Sequence, residues 1–154
     1  MLEGRIVQEA PPRELFERPT SAAVARFFGS VNLLRGDVRD GRLAVAGHGL
    51  RVSGPDGAAT FAIRPEHVVL DGGGLRATVV EAVYAGTYVR LTLRVGEQRL
   101  IAHALPDRAP SAGAEVEVQL PVERLWRLPD DDEGGRVHHR ISVEDAAGRE
   151  AGEP

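Results

Sequence analysis

The ten-residue stretch 61–70 constrains the fold of this chain more than any other. Large and small residues alternate in its first part, which is typical of a half-buried strand. Pro65 removes a backbone donor and favours extended geometry at Arg64, so a sheet ladder has to break or turn there. Residues 68–70 resume an apolar run that stops at the glycine-rich turn 71–74. The stretch therefore predicts two short strands that meet at a proline corner.

The corner leaves Arg64 and Glu66 on either side of a rigid proline, and we expect both on one side of the bend. Two interpretations stay open at this point. The pair is either a surface ion pair, worth about 0.2–1 kcal/mol, or a contact with another protein surface.

Further short strands alternate with glycine-rich turns along the rest of the chain. Asp40-Gly41 predicts a tight hairpin between residues 34–39 and 42–46. Residues 88–95 and 115–120 alternate between apolar and polar positions, as strands with one buried face do. Turns at intervals of roughly 8–12 residues predict a barrel or a sandwich.

The first thirty residues follow a different pattern. Residues 4–8 predict a short strand, and residues 13–17 predict one helical turn between prolines. Thr20 or Ser21 can cap a second helix that runs to about residue 28, where Gly29 ends it.

Composition excludes several classes of function. The chain has 154 residues, a hydrophobic fraction of 42% and no cysteine, so one domain with an aliphatic core is expected and thiolate chemistry is excluded. All 19 basic residues are arginine, which rules out the lysine of a phosphate-binding P-loop within this sequence. The net charge of −4 does not suit a nucleic-acid-binding surface.

We find no residues in a pattern that predicts catalysis, cofactor binding or a metal site. The only adjacent histidine pair is His138-His139, whose side chains point apart in a strand. Trp126 is expected to close one end of a barrel, and Tyr88 flanks a turn with Tyr84. The residues predicted to contact a partner or a small effector are Asn32, Arg64, Glu66, Tyr88 and Trp126.

Three stretches together resemble one known family. The first stretch is Ile-Arg-Pro-Glu at 63–66, which is followed by an apolar strand. The second is Asn-x-Leu-x-Gly-x-Val, which lies earlier in the chain at 32–38. Residues 4–29 contain Gly-x-Ile-x-Gln, Pro-x-Glu-Leu-Phe-x-x-Pro and Val-Ala-x-Phe-x-Gly in that order. Over roughly residues 4–128 the chain resembles the regulatory C-terminal part of ABC-importer ATPase subunits for polyamines, iron, sulfate or sugars, the OB-like module called TOBE.

The resemblance implies a mainly β fold, an OB-like barrel of short antiparallel strands preceded by a short strand and two helices. Residues 1–29 would be a boundary segment like the end of a nucleotide-binding domain, 30–128 the regulatory domain, and 129–154 a disordered tail. The implied function is regulation and dimerisation without an ATPase core, hence no enzyme activity in this chain. The implied partners are a second copy, a nucleotide-binding domain, the transporter's membrane subunits and, as in some members of the family, a small effector, in the cytoplasm beside the inner membrane.

An alternative is a free-standing protein that binds a small oxyanion such as molybdate or tungstate. Modules of that kind share a similar Ser-x-x-Asn-x-Leu-x-Gly stretch. Here Val31 stands where an Arg-Asn pair would be expected, and Ser30 lies one place closer to the asparagine. The departure weakens this second hypothesis.

Overall fold

The computed structural model describes residues 8–129 and the backbone of Ile141–Glu144, and the fold given below is that of these residues. The predicted strand at residues 4–8 lies outside them except for its last residue. Two short helices come first, α1 (Pro12–Glu17) and α2 (Ala22–Phe27). The Ser21 hydroxyl accepts the Val24 N–H at 3.2 Å, so this residue caps α2 as expected.

Ten strands follow, and they confirm the mainly β class. They are β1 (Val31–Arg39), β2 (Arg42–Val45), β3 (His48–Arg51), β4 (Gly57–Ile63), β5 (Val69–Tyr84), β6 (Val89–Val95), β7 (Gln98–Ala104), β8 (Glu115–Gln119), β9 (Trp126–Arg127) and β10 (Ile141–Glu144). Single 3₁₀ turns lie at Pro65–His67 and Val122–Arg124. The first of these is the predicted proline corner.

The first sheet has the order β3-β2-β1-β4-β9, and β10 pairs with β1 at Val31–Leu34. Asp40 and Gly41 have φ values of +52° and +69°, and they join β1 to β2 as the predicted hairpin. β10 falls within the stretch predicted as a disordered tail, so the structure differs from that prediction at these four residues. Those residues form a strand because β1 offers them an open edge beside the short β2.

The second sheet has the order β7-β6-β5-β8. The prediction that a turn at 71–74 ends the strand is wrong, because these four residues lie within β5, which is 16 residues long in total. Leu70 and Leu75 both lie opposite Val118, so the four residues between them form a bulge. Gly74 has a φ of +127°, and an added Cβ would lie 3.2 Å from the Val118 carbonyl oxygen. Glycine is therefore needed here to keep β5 beside β8.

The main core lies between the two sheets. The apolar face predicted for β6 is confirmed, since Val89, Leu91, Leu93 and Val95 are all buried. Within the described residues no backbone ladder joins the sheets into one closed barrel, so their contact depends on these side chains. The largest fully buried members of the core are Phe61, Leu34, Leu43, Ile63, Leu91, Leu93 and Leu100.

A smaller apolar cluster lies on the outer face of the first sheet, beneath α2. It consists of Ala22, Ala25, Val31, Leu33, Ala62 and Leu128, with Trp126 packed against it. The helices are therefore attached to the β-module by an apolar contact of their own.

Candidate functional site

The side chain of Arg64 joins the helical segment to the proline corner. Its Nη1 donates to the carbonyl oxygens of Ala25 at 2.9 Å, Ser30 at 3.2 Å and Gly29 at 3.3 Å. Its Nη2 donates to the carbonyl oxygen of Phe16 at 3.3 Å. These acceptors lie at the ends of both helices, where carbonyl groups lack intrahelical partners. One guanidinium thus holds α1, α2 and the start of β1 together.

Arg64 is only 6% exposed, and its guanidinium lies 4.2 Å from the centre of the Phe16 ring. Burial lowers the pKa of Arg64, and the negative charge of Glu66 partly offsets this. Within the described chain no carboxylate lies within 4 Å of Arg64, so the structure does not show the ion pair with Glu66, which was one of the two open interpretations. Sequence reasoning missed this arrangement because the acceptors lie 34 to 48 positions earlier in the chain.

Asn32 links the two sheets. Its Nδ2 donates to the Ile101 carbonyl at 2.8 Å, and its Oδ1 accepts the Ile101 N–H at 2.8 Å. The side chain is fully buried, and Ile101 lies in β7 at the edge of the second sheet. The Asn32 amide therefore satisfies the backbone N–H and C=O of Ile101, as the backbone of a neighbouring strand would do. Asn32 was predicted to contact a partner or effector, and in the structure its hydrogen bonds go to a residue 69 positions away in the same chain.

Trp126 lies in β9 opposite Ala62, on the helical side of the first sheet. Its indole Nε1 donates to the Pro19 carbonyl at 2.8 Å, and the Arg18 guanidinium lies 5.8 Å from the ring centre. The ring is half-buried and packs against the smaller cluster. Trp126 therefore fastens the loop between the helices rather than filling the main core.

Tyr88 and Glu66 belong to one surface patch with His103. The Tyr88 and His103 rings stack with their centres 4.0 Å apart. His103 Nδ1 lies 4.0 Å from a Glu66 carboxylate oxygen, whose side chain is 43% exposed. The structure therefore brings two of the five predicted contact residues together, on the surface beside the proline corner.

A cleft of about 410 Å³ opens between α1, the Arg64 corner and residues 123–126. We call it the arginine cleft. Its charged and aromatic lining residues are Arg13, Phe16, Glu17, Arg18, Arg64, His67, Glu123, Arg124 and Trp126. It brings Arg64 and Trp126 together, whereas Asn32 is not among the residues that line it.

The described part of the chain contains no cluster of three histidine or acidic side chains that could hold a metal ion. His138-His139 lies outside the described residues. None of the helices in the described ranges is long and apolar enough to cross a membrane.

These features define a class of protein, a small two-sheet β-module to which a helical segment is fastened through an arginine corner. Residues 61–128 match the model of the TOBE domain family, so the resemblance predicted from the sequence is confirmed over these residues.

Curated relatives agree with this assignment. The chain is 35% identical over 120 residues to a spermidine/putrescine import ATP-binding protein of Pseudomonas aeruginosa, covering 68% of this chain and 32% of that protein. It is 37% identical over 126 residues to an Fe(3+) ions import ATP-binding protein of Streptomyces coelicolor, covering 78% and 36%. A sulfate/thiosulfate import ATP-binding protein of Xanthomonas campestris is 36% identical over 122 residues, covering 77% and 32%. The chain spans about a third of the length of these relatives.

Proposed function

We propose that this chain is the regulatory and dimerising C-terminal domain of an ABC-importer ATP-binding protein and contains no ATPase core. The observation that carries the proposal is the extent of the similarity. Aligned lengths of 120 to 126 residues exceed the stretch 61–128, so the similarity to import ATP-binding proteins continues beyond the TOBE match. The relatives are named for different solutes, which leaves the solute of this chain open.

The Arg64 corner supports a role in coupling. It connects the helical segment, which resembles the end of a nucleotide-binding domain, to the β-module through four carbonyl contacts. A rigid joint of this kind transmits a displacement of the β-module to the helices. In this proposal the chain acts in the cytoplasm beside the inner membrane, with a second copy, a nucleotide-binding domain and the membrane subunits as partners, and without nucleic acid.

The surface patch of Tyr88, His103 and Glu66 is the proposed contact for a partner domain. It adjoins the proline corner and combines stacked rings with an exposed carboxylate. Asn32 and Arg64 direct their hydrogen bonds into the chain, so we assign them to holding the domain together. We therefore assign the contact with a partner domain to this patch, whereas the sequence suggested the proline corner for that contact.

A chimera tests this function. The whole chain would replace the matching C-terminal region of the Streptomyces coelicolor relative, and ATP hydrolysis and uptake would be measured in reconstituted transporters. We expect the chimera to restore the dependence of ATP hydrolysis on the transported solute that is lost when this region is deleted. A chimera that behaves like the deletion would overturn the proposal.

Glu66→Ala in the chimera tests the patch itself, with Glu97→Ala on an exposed turn of the second sheet as the matched control. We expect Glu66→Ala to weaken the coupling while the circular dichroism spectrum stays unchanged. Equal coupling in the two variants would remove Glu66 from the contact.

The oxyanion alternative has no comparable support. Residues 31–34 of the stretch that suggested it are buried in β1, and both polar atoms of Asn32 bond to Ile101. We therefore retain one proposed function.

A further inference from the structure

We propose that the arginine cleft binds a small organic dianion, either a phosphate ester or a dicarboxylate. If the chain is a regulatory domain as proposed above, this anion is its effector. Of the stretch 30–36 on which the oxyanion hypothesis rested, Val31 lines the cleft and the buried Asn32 does not.

The charge of the cleft differs in sign from that of the chain. Four arginines line it against two glutamates, whereas the whole chain has a net charge of −4. Glu17 is already engaged, because Arg13 Nε lies 2.8 Å from its carboxylate oxygen. This hydrogen bond lowers the pKa of Glu17, and the charges of Arg18 and Arg124 lower it further. Glu17 is therefore counted with its full negative charge, and the four arginines and two glutamates that line the cleft leave a net charge of +2.

In the described part of the chain, three of the four arginines of the cleft make no close ion pair. Arg18, Arg64 and Arg124 make no ion pair within 4 Å in the described part of the chain. Arg64 is the most unusual of them, because its charge is buried and only neutral carbonyl oxygens accept its hydrogen bonds. A buried charge without an opposite charge is costly, and an anion in the cleft would compensate it.

The aromatic residues of the cleft also favour an organic anion. Guanidinium groups lie against the rings of both aromatic residues, Arg64 on Phe16 and Arg18 on Trp126. Arg64 already donates to four carbonyl oxygens, so Arg18 and Arg124 are the guanidinium groups that would pair with the oxygens of a carboxylate or phosphate. The same rings offer an apolar surface to the body of the ligand. A volume of about 410 Å³ suits a small molecule.

The single tryptophan of the chain provides a direct measurement, since Trp126 lines the cleft. Its fluorescence would be titrated in the intact chain with phenyl phosphate, succinate and inorganic phosphate. We expect a saturable change with phenyl phosphate or succinate and a weaker response to inorganic phosphate, which has no apolar body. Comparison of the first two separates a phosphate site from a carboxylate site.

Arg124→Gln and Arg18→Gln are expected to weaken binding at least about tenfold, the effect of losing one charge-assisted hydrogen bond. Arg76→Gln, at an exposed position of β5 outside the cleft, is the matched control and should bind as the original chain does. Circular dichroism verifies that each variant is folded.

Two results would overturn this inference. One is the absence of a saturable change with all three anions up to about 10 mM, a limit that corresponds to very weak binding. The other is binding that Arg18→Gln and Arg124→Gln leave unchanged. Neither result depends on coupling to an ATPase, so the site can fail while the proposed function stands, and the reverse also holds.

Discussion

Asn32 shows how one side chain can connect two sheets that share no backbone ladder in the described residues. Its amide satisfies both the N–H and the C=O of Ile101 at 2.8 Å. Both groups are buried with it, so no water can replace the amide. The contact between the sheets therefore includes a pair of hydrogen bonds at this one position, in addition to the apolar side chains of the core.

Asn32→Leu should lower the free energy of unfolding by about 2–4 kcal/mol, because it leaves two buried backbone groups without partners. Chemical denaturation measures the loss. Hydrogen exchange supplies the second measurement, since the Ile101 amide should lose protection while amides in the middle of β6 keep theirs. An unchanged Ile101 amide would contradict this role of Asn32.

Arg64→Met keeps much of the apolar length of the side chain and removes its donors. We expect a loss of about 2–4 kcal/mol in the free energy of unfolding, since four carbonyl oxygens lose a charged donor. Arg42→Met, at an exposed position of β2, should change stability by less than about 0.5 kcal/mol. Equal stabilities for the two variants would show that the corner does not hold the helices.

Asp56 fixes the hairpin turn between β1 and β2. Its carboxylate oxygens accept the Asp40 N–H at 2.9 Å and the Gly41 N–H at 3.2 Å, and these bonds lower its pKa from the ordinary value of 3.8. A lowered pKa in the folded chain contributes stability above that value, and the contribution is lost as the pH falls through the lowered pKa.

The melting temperature of Asp56→Asn should therefore lie below that of the original chain at pH 7, and the difference should shrink below about pH 3.8. Asp107→Asn, in an exposed loop, is the control for a general effect of removing a carboxylate. A difference that stays constant from pH 7 to pH 3 would contradict the role of ionised Asp56.

At the scale of elements, α2 ends in an exposed aromatic pair. Phe27 is 73% exposed, and its ring meets that of Phe28 edge to face at 5.2 Å. An aromatic side chain left in water at the end of a packed helix favours association. We therefore expect a homodimer in solution, in which this part of residues 1–29 contributes to the interface.

Phe27→Ser should shift the intact chain towards the monomer in light scattering at high micromolar concentration. This substitution is preferable to deleting residues 1–29, because deletion would also remove three of the four acceptors of Arg64. Val69→Ser, at an exposed position of β5, is the control. A monomeric original chain would contradict the dimer, and an unchanged dimer in Phe27→Ser would move the interface to the β-module.

Local patterns predicted most of the strands but not how they are connected in space. Asp40-Gly41 was identified because a two-residue turn with positive φ needs those residue types. The glycine run at 71–74 gave the same local pattern, yet Val118 pairs on both sides of it and β5 continues. Arg64 and Asn32 were selected as contact residues, but their partners come from distant parts of the chain. Composition and spacing contain no information about such pairs.

At the scale of the whole molecule, the absence of lysine from the sequence leads to a prediction about nucleotides. The chain has no P-loop to hold phosphates, so we expect neither ATP hydrolysis nor saturable binding of ATP below about 1 mM, a range in which P-loop sites would be filled. Calorimetry with Mg-ATP checks this. ATP is itself an anion, so ATP binding that Arg124→Gln abolishes would be assigned to the arginine cleft. ATP binding that persists in Arg124→Gln would contradict the prediction.

The contacts of Arg64 influence which positions of such a chain can change during evolution. Every one of its acceptors is a main-chain oxygen, and any amino acid can supply that atom. Exposed side chains along the attached helices can therefore vary, provided the backbone keeps its course, Phe16 keeps an apolar surface and the buried Ala22 and Ala25 still pack on the first sheet. A joint of this type allows the same kind of β-module to follow helical segments whose sequences have diverged.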